Sequence, residues 1–237
     1  MITRQLTLFD DLILPPRCDK DEAACFMGKL RERGIVVGTD EVGRGALAGP
    51  VVGAAVCLTP EQESELLRLK LRDSKRITPN GREKLFSAMN DIGVIWRVCM
   101  ESPKIIDNVN VLQASLCAMG MAVSRLVRDL GVSPACVIVD GTDRIPGLEF
   151  PQWVLIKADD IIPSVSAASV VAKVIRDRLM VKLSEKYPEY GFAKNKGYPT
   201  RMHMEAVRDI GMSDIHRRTF CRKIVQEGEK INAVNKR

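Results

Sequence analysis

Three apolar runs in this 237-residue chain each close on a carboxylate. Ile35-Val36-Val37-Gly38-Thr39 leads to Asp40-Glu41, Val137-Ile138-Val139 to Asp140-Gly141, and the segment 153–157 to Ala158-Asp159. Runs of this length and β-branching predict buried strands, and ligands of open α/β sheets collect at the carboxyl ends of parallel strands. If the first two strands lie parallel and adjacent, Asp40 and Asp140 emerge side by side. Carboxylates crowded at the end of a buried sheet repel and raise one another's pKa values, a cost that a bound divalent cation removes. All-oxygen ligation favours Mg²⁺ or Mn²⁺ over zinc, and two such ions activate a water and stabilise the leaving oxygen in phosphodiester hydrolysis. An Asp at a strand end also serves as a turn former or helix cap, so spacing alone leaves both roles open. His203 and His216 have no partner at ligand spacing and read as solvated or capping residues. The chain has no GxxxxGK[ST] or GxGxxG pattern, which disfavours nucleotide hydrolysis of the P-loop type.

The elements that must carry these residues follow from the same patterns. Strands are predicted over 35–39, 50–58, 94–100, 137–139 and 153–157, with helices over 61–70, 79–90, 166–186, 201–209 and 216–225. Leu112, Leu116, Met119, Val123, Leu126 and Leu130 mark one face of a long helix that Gly131 ends. Early strands joined by short turns, then helix–strand alternation, predict a mixed five-stranded α/β sheet flanked by helices. Residues 1–33 read as an appendage, 34–226 as the domain and 227–237 as a basic tail.

Composition bounds the partners. Hydrophobic residues at 46% and charged residues at 28% exclude wholesale disorder. The net charge of +6 is uneven, because seven Lys/Arg against two Glu fall beyond residue 215. Seven cysteines, an odd number without a CxxC pair, speak against a disulfide framework and for a reducing cytoplasm. No apolar stretch suits a membrane span, so a cytoplasmic monomer is expected.

The block Gly38-Thr39-Asp40-Glu41-Val42-Gly43-Arg44-Gly45, followed by Leu47-Ala48-Gly49-Pro50-Val51-Val52, closely resembles the opening signature of type 2 ribonuclease H, ribonuclease HII. Asp73-Ser74-Lys75, Val139-Asp140-Gly141, Ser166-Ala167-Ala168-Ser169, Tyr190-Gly191-Phe192, Lys196-Gly197-Tyr198-Pro199-Thr200 and His216-Arg217-Arg218-Thr219-Phe220 follow in the family's order. The resemblance spans about residues 34–222. It implies a ribonuclease H-like sheet with a helical C-terminal portion, and four carboxylates, Asp40, Glu41, Asp140 and Asp159, as catalytic ligands of two Mn²⁺ or Mg²⁺ ions. Asp159 is chosen over Asp160 because the family places its Asp two residues after the strand's Lys, here Lys157. The implied reaction cuts the RNA strand of RNA/DNA hybrids, and cuts 5′ of a single ribonucleotide in duplex DNA, leaving 3′-hydroxyl and 5′-phosphate ends.

For substrate contacts the resemblance implies Gly43, Arg44 and Gly45 at the 2′-hydroxyl and adjacent phosphate, and Tyr198 on the sugar beyond the ribonucleotide. Lys75 and Lys173 are implied phosphate or active-site contacts, and Arg217 and Arg218 suit a clamp on the duplex backbone. Glycine lets the backbone approach closely, and the 2′-hydroxyl is what tells RNA from DNA. Ala46 stands where the family often has Pro, and Thr142 where Asn is common. Outside this match, Gln5-Leu6-Thr7-Leu8-Phe9 is similar to the bacterial sliding-clamp-binding peptide, with an edge strand as the alternative for Gln5, Leu6, Leu8 and Phe9. A junction-resolving nuclease and an inert hybrid-binding module are the competing functional readings.

Overall fold

Val36–Val42 is all apolar or small until its acidic end, and it becomes the middle strand of a five-stranded sheet. The computed structural model describes residues 14–71 and 77–235, with side chains to 228. The candidate clamp peptide and Lys75 lie outside the described residues. In chain order the elements are α1 (Lys20–Glu32), β1 (Val36–Val42), β2 (Val51–Cys57), α2 (Pro60–Arg68), α3 (Pro79–Asp91), β3 (Ile95–Glu101), α4 (Pro103–Val109) and α5 (Val111–Leu130). They continue with β4 (Cys136–Asp140), β5 (Gln152–Leu155), α6 (Pro163–Lys186), α7 (Phe192–Asn195), α8 (Arg201–Ile210) and α9 (Arg218–Asn235). The strand order is β3-β2-β1-β4-β5, antiparallel across β3/β2/β1 and parallel across β1/β4/β5. This is the expected mixed sheet, and its parallel half carries the acidic strand ends.

Long helices cover both faces. Leu116, Met119, Val123 and Leu126 of α5 pack on Val37, Ala55, Val137 and Val139, while Val170, Val171 and Val174 of α6 pack on Val52, Ala54 and Val56. Two glycines let the helix backbones sit directly on the strands. A Cβ at Gly38 would lie 2.5 Å from the Ser164 carbonyl carbon and the Val165 nitrogen; one at Gly53 would lie 2.5 Å from the Met119 nitrogen. The small residues Ala167, Ala168 and Ala172 continue this close fit along α6.

The segment before β1 packs on the sheet. Helix α1 opens on an Asp19–Glu22 capping box and buries Ala23, Met27 and Leu30 against Ile138, Trp153 and Leu155. The Trp153 indole donates to Pro15 O at 2.7 Å, and Ile156 N donates to Pro16 O at 3.0 Å. Residues 14–32 thus cover part of the face that β4 and β5 present beside α6. α9 runs on as helix to Asn235, through most of the basic segment 227–237. Its first turn is capped from afar by Asp107 of α4, whose carboxylate accepts from Arg218 N at 2.8 Å and Thr219 N at 3.0 Å. Such a cap from more than a hundred residues away satisfies orphan helix donors that no local residue serves.

The Gly38 contact is testable. Gly38→Ala must push α6 off β1 and is expected to cost about 1–3 kcal/mol. Urea unfolding with an unchanged slope reads this directly, and an unshifted midpoint would contradict the close fit.

Candidate active site

The parallel register of β1 and β4 pairs Val37 with Val137, Gly38 with Ile138 and Thr39 with Val139. One step further brings Asp40 and Asp140 out next to each other at the end of the sheet. Thr39 anchors this end by donating its hydroxyl to Ala54 O at 2.7 Å. Beyond β5, Lys157 takes a left-handed conformation at φ 60°, which turns the chain into a short 3₁₀ segment carrying Asp159. Ala158 N donates to Asp140 Oδ1 at 2.6 Å, tying this turn to β4. The Ser166 hydroxyl, from α6, donates to Asp159 O. Asp40 and Asp159 are buried, Glu41 and Asp140 half-buried.

The electrostatics are those of uncompensated negative charge. Burial, then the charges of Glu41 and Asp140, hold the Asp40 carboxyl well above the usual range, against a hydrogen bond from Ser169 on α6. Burial also raises Glu41, although the Arg44 guanidinium 3.3 Å away works in the other direction. Asp140 is pushed up to about 6 by burial and then by the charge of Asp159, against the Ala158 N–H bond. Asp159 is among the charges that raise all three. Among the described residues, no three acidic, cysteine or histidine side chains are drawn together as in a closed metal cage. Asp40 and Asp140 each give an oxygen to a backbone N–H, and Glu41 leans to Arg44. The donor set nonetheless fits a hard divalent cation: oxygen ligands only, at a place where like charges are already forced together.

β1 runs directly into the loop 43–49. Two buried arginines hold that loop by its backbone carbonyls. Arg176 of α6 donates to Pro50 O at 2.9 Å, Ala48 O at 3.1 Å and Lys196 O at 2.9 Å. Arg217 donates to Gly49 O at 3.1 and 3.0 Å and to Arg44 O at 2.8 Å. Gly43, at φ 97°, leaves the space that the Arg176 guanidinium fills. Leu47 N donates to Gly197 O at 2.8 Å, so the loop is joined to the turn that bears Tyr198. The Lys173 ammonium and the Arg176 guanidinium lie 5.3 and 5.2 Å from the centre of the Tyr198 ring. A cleft of about 580 Å³ opens beside them, lined in part by Arg82, Lys173, Arg178, Lys194, Lys196 and Tyr198.

A buried acidic strand end, a glycine loop welded to it and a tyrosine turn beside it form one arrangement, and the family description named Ribonuclease HII matches residues 37–223, the span that contains all of them. The chain belongs to the ribonuclease HII family. A ribonuclease HII of Acaryochloris marina (strain MBIC 11017) is 43% identical over 186 residues, 78% of this chain and 92% of that protein. Among solved structures, the ribonuclease H2 from Pyrococcus horikoshii OT3 superposes with a TM-score of 0.67 at 33% identity, over 83% of this chain and 99% of its own. The RNase HII of Archaeoglobus fulgidus, solved as a PCNA complex, gives a TM-score of 0.62 at 27% identity, over 77% of this chain and 91% of its own. The fold is ribonuclease H-like and the protein is a metal-dependent nuclease of the ribonuclease H type.

Within this ribonuclease HII fold the sequence-derived residues divide. Asp40, Glu41, Asp140 and Asp159 lie close enough at one sheet end to act on one another's charge; Gly43, Arg44 and Gly45 continue from β1 in the adjoining loop, and Lys173 lies by Tyr198 in the cleft. Arg44 and Gly45 are exposed, and nothing lies within 4 Å of the place of a Gly45 Cβ. Lys173 donates to Asp177 at 2.8 Å. Arg217 is a correction: it is fully buried and spends its guanidinium on loop carbonyls, so it holds the loop rather than a phosphate. Arg218 is exposed at the start of α9. The two histidines are a second correction. Both are buried, with their Nε2 atoms 3.0 Å apart. Arg176 carries no signal in the sequence, where its position among apolar helix residues looks like that of any solvated arginine; only the folded loop reveals its three acceptors.

The raised carboxyls make metal-free stability depend on pH. The folded protein holds a proton at Asp140 up to about pH 6, whereas the unfolded chain releases it near 3.8, so stability falls as pH rises through that window and stays lower above it. Asp140→Asn is therefore expected to raise the Tm of the metal-free protein at pH 8 by about 2–4 °C for each kcal/mol relieved, with the gain vanishing near pH 4. Scanning calorimetry in chelator checks this; a lower Tm at pH 8 contradicts the repulsion.

Proposed function

We propose that the protein is an endoribonuclease that hydrolyses the RNA strand of RNA/DNA hybrids and cuts 5′ of single ribonucleotides in duplex DNA, leaving 3′-hydroxyl and 5′-phosphate ends. The observation that carries this reading is the continuity between the acidic end of β1 and the 43–49 loop, which Arg176 fastens to the Tyr198 turn. Asp40, Glu41, Asp140 and Asp159 would hold two divalent cations, Mg²⁺ or Mn²⁺, which when bound supply an activated water and charge stabilisation at the leaving oxygen. The chain's own groups do the rest. The open backbone at Gly45 offers N–H and C=O groups to a 2′-hydroxyl, and exposed Arg44 reaches the neighbouring phosphate. Tyr198, held under two cations, presents its ring to the next sugar, where a missing 2′-hydroxyl leaves room. The basic side of the cleft follows the duplex backbone, with Arg218 and the positive residues of α9 extending it, so binding weakens as salt rises. We also assign residues 5–9, by their similarity to clamp-binding peptides, to a contact with the replication sliding clamp; the PCNA complex of the Archaeoglobus fulgidus protein supports such a link. The described residues contain no helix long and apolar enough to cross a membrane, and the unpaired cysteines accord with action in a reducing cytoplasm.

The deciding assay uses a DNA duplex with one embedded ribonucleotide, with and without Mg²⁺ or Mn²⁺. Incision 5′ of the ribonucleotide only with metal is expected; tight binding without incision, or cutting of branched all-DNA substrates, would overturn the reading. Asp40→Asn and Asp140→Asn are expected to slow cleavage about 10³-fold, as loss of several kcal/mol of charge stabilisation implies. Asp159→Asn should match them and Asp160→Asn should not, and the opposite order would move the fourth ligand. Gln5→Ala combined with Leu8→Ala and Phe9→Ala should abolish clamp binding in a pull-down with purified clamp.

A further inference from the structure

Beyond the helix that floors the site, 17 and 30 residues past its last residue Lys186, two imidazoles form a hydrogen-bonded chain with the substrate turn. His203 is 0% and His216 3% exposed, so bulk solvent does not reach either ring. His216 Nδ1 lies 3.0 Å from Ser213 N, a group that only donates, so this nitrogen accepts and the His216 proton sits on Nε2. That Nε2–H has His203 Nε2 as its partner at 3.0 Å, which must accept; the His203 proton is therefore on Nδ1, 2.9 Å from Tyr198 O. The same carbonyl takes Thr200 N–H at 2.8 Å. The Ser213 hydroxyl, 2.9 Å from the same His216 Nδ1, is a second donor to it; one pair of neutral tautomers accords with all of these contacts, and burial favours neutrality by depressing both imidazoles. The pair is boxed by Tyr190, 4.6 Å from His216 between ring centres, and Phe192, 5.3 Å from His203.

The far end of this chain is the glycine loop. His216 pairs with Ala48 in an isolated antiparallel bridge, flanked by Gly49 N to Ile215 O and Arg217 N to Leu47 O, each 2.8 Å. We infer that His203 and His216 form a positioning joint that sets the Tyr198 ring against the 43–49 loop and thereby sharpens the preference for a lone ribonucleotide followed by DNA. The inference rests on the Tyr198 role proposed above. A joint used only for packing would be indifferent to the polar atoms, since two stacked aromatic rings fill the same space.

The test compares cleavage of a lone-ribonucleotide duplex with cleavage of a continuous hybrid. His203→Phe keeps the ring and removes the hydrogen bonds; it is expected to lower the ratio of the two activities about five-fold, the equivalent of one net hydrogen bond near 1 kcal/mol. His203→Asn places an amide donor where Nδ1 was and should restore most of the ratio. An unchanged ratio in His203→Phe, or equal ratios in the Phe and Asn variants, overturns the inference. ¹⁵N NMR of the wild-type imidazoles gives an independent reading that needs no variant to fold: protons on His203 Nδ1 and His216 Nε2 support the joint, and any other pattern rejects it. Tyr198→Ala run in parallel separates the two ideas, because an unchanged ratio there removes the role of Tyr198 while the NMR pattern still decides the joint.

Discussion

Bringing Asp40, Glu41, Asp140 and Asp159 to one buried sheet end works against folding, and the rest of the molecule is organised to withstand it. In water these carboxylates would drift apart; here the parallel register of β1 and β4 leaves Asp40 and Asp140 no choice of place. The repulsion and desolvation show in carboxyls raised above their ordinary range. The strands can bear this because both faces of the sheet are closed by helices whose backbones touch Gly38 and Gly53. A scaffold with loose helices would relieve the repulsion by moving, and the ligands would lose their convergence.

A second arrangement solves the opposite problem. The 43–49 loop must present backbone to a substrate yet keep one shape, so it cannot be rich in bulky side chains of its own. Arg176 and Arg217 hold it from beneath, each with three hydrogen bonds to carbonyls. The planar fork of guanidinium suits several divergent acceptors, which the single point charge of a lysine does not. Burial and the nearness of Arg176 bring the Arg217 pKa down to about 10, still charged at neutral pH.

Much of this was legible beforehand, and particular residues show why. Each apolar run closing on an acid became a strand, and Leu112 through Leu130 became the face of α5, because hydrophobic periodicity acts locally. The mixed sheet followed from element order. Other features were invisible for the same reason. Asp107 looks like an ordinary helix residue until α9 is placed against it, and Arg217 in a basic motif looks like a phosphate contact until it is found beneath Gly49. Pro15-Pro16 and the mixed charge of residues 17–22 read as a poor core element, yet the carbonyls of Pro15 and Pro16 serve Trp153 and Ile156.

The amino-acid order by itself determined which residues form strands, where the carboxylates stand at their ends and that the glycine-rich turn follows β1, since these depend on neighbours within a few positions. Only the tertiary structure decided which strands are adjacent, that Asp159 comes within reach of the charges of Asp40 and Asp140 through the turn at Lys157, and that two histidines read as solvated or capping residues meet nitrogen to nitrogen in the core. Charge repulsion, burial and hydrogen-bond direction act through space, so groups distant in the chain acquire their chemistry only when the packing of α6, α8 and the sheet has fixed their separation.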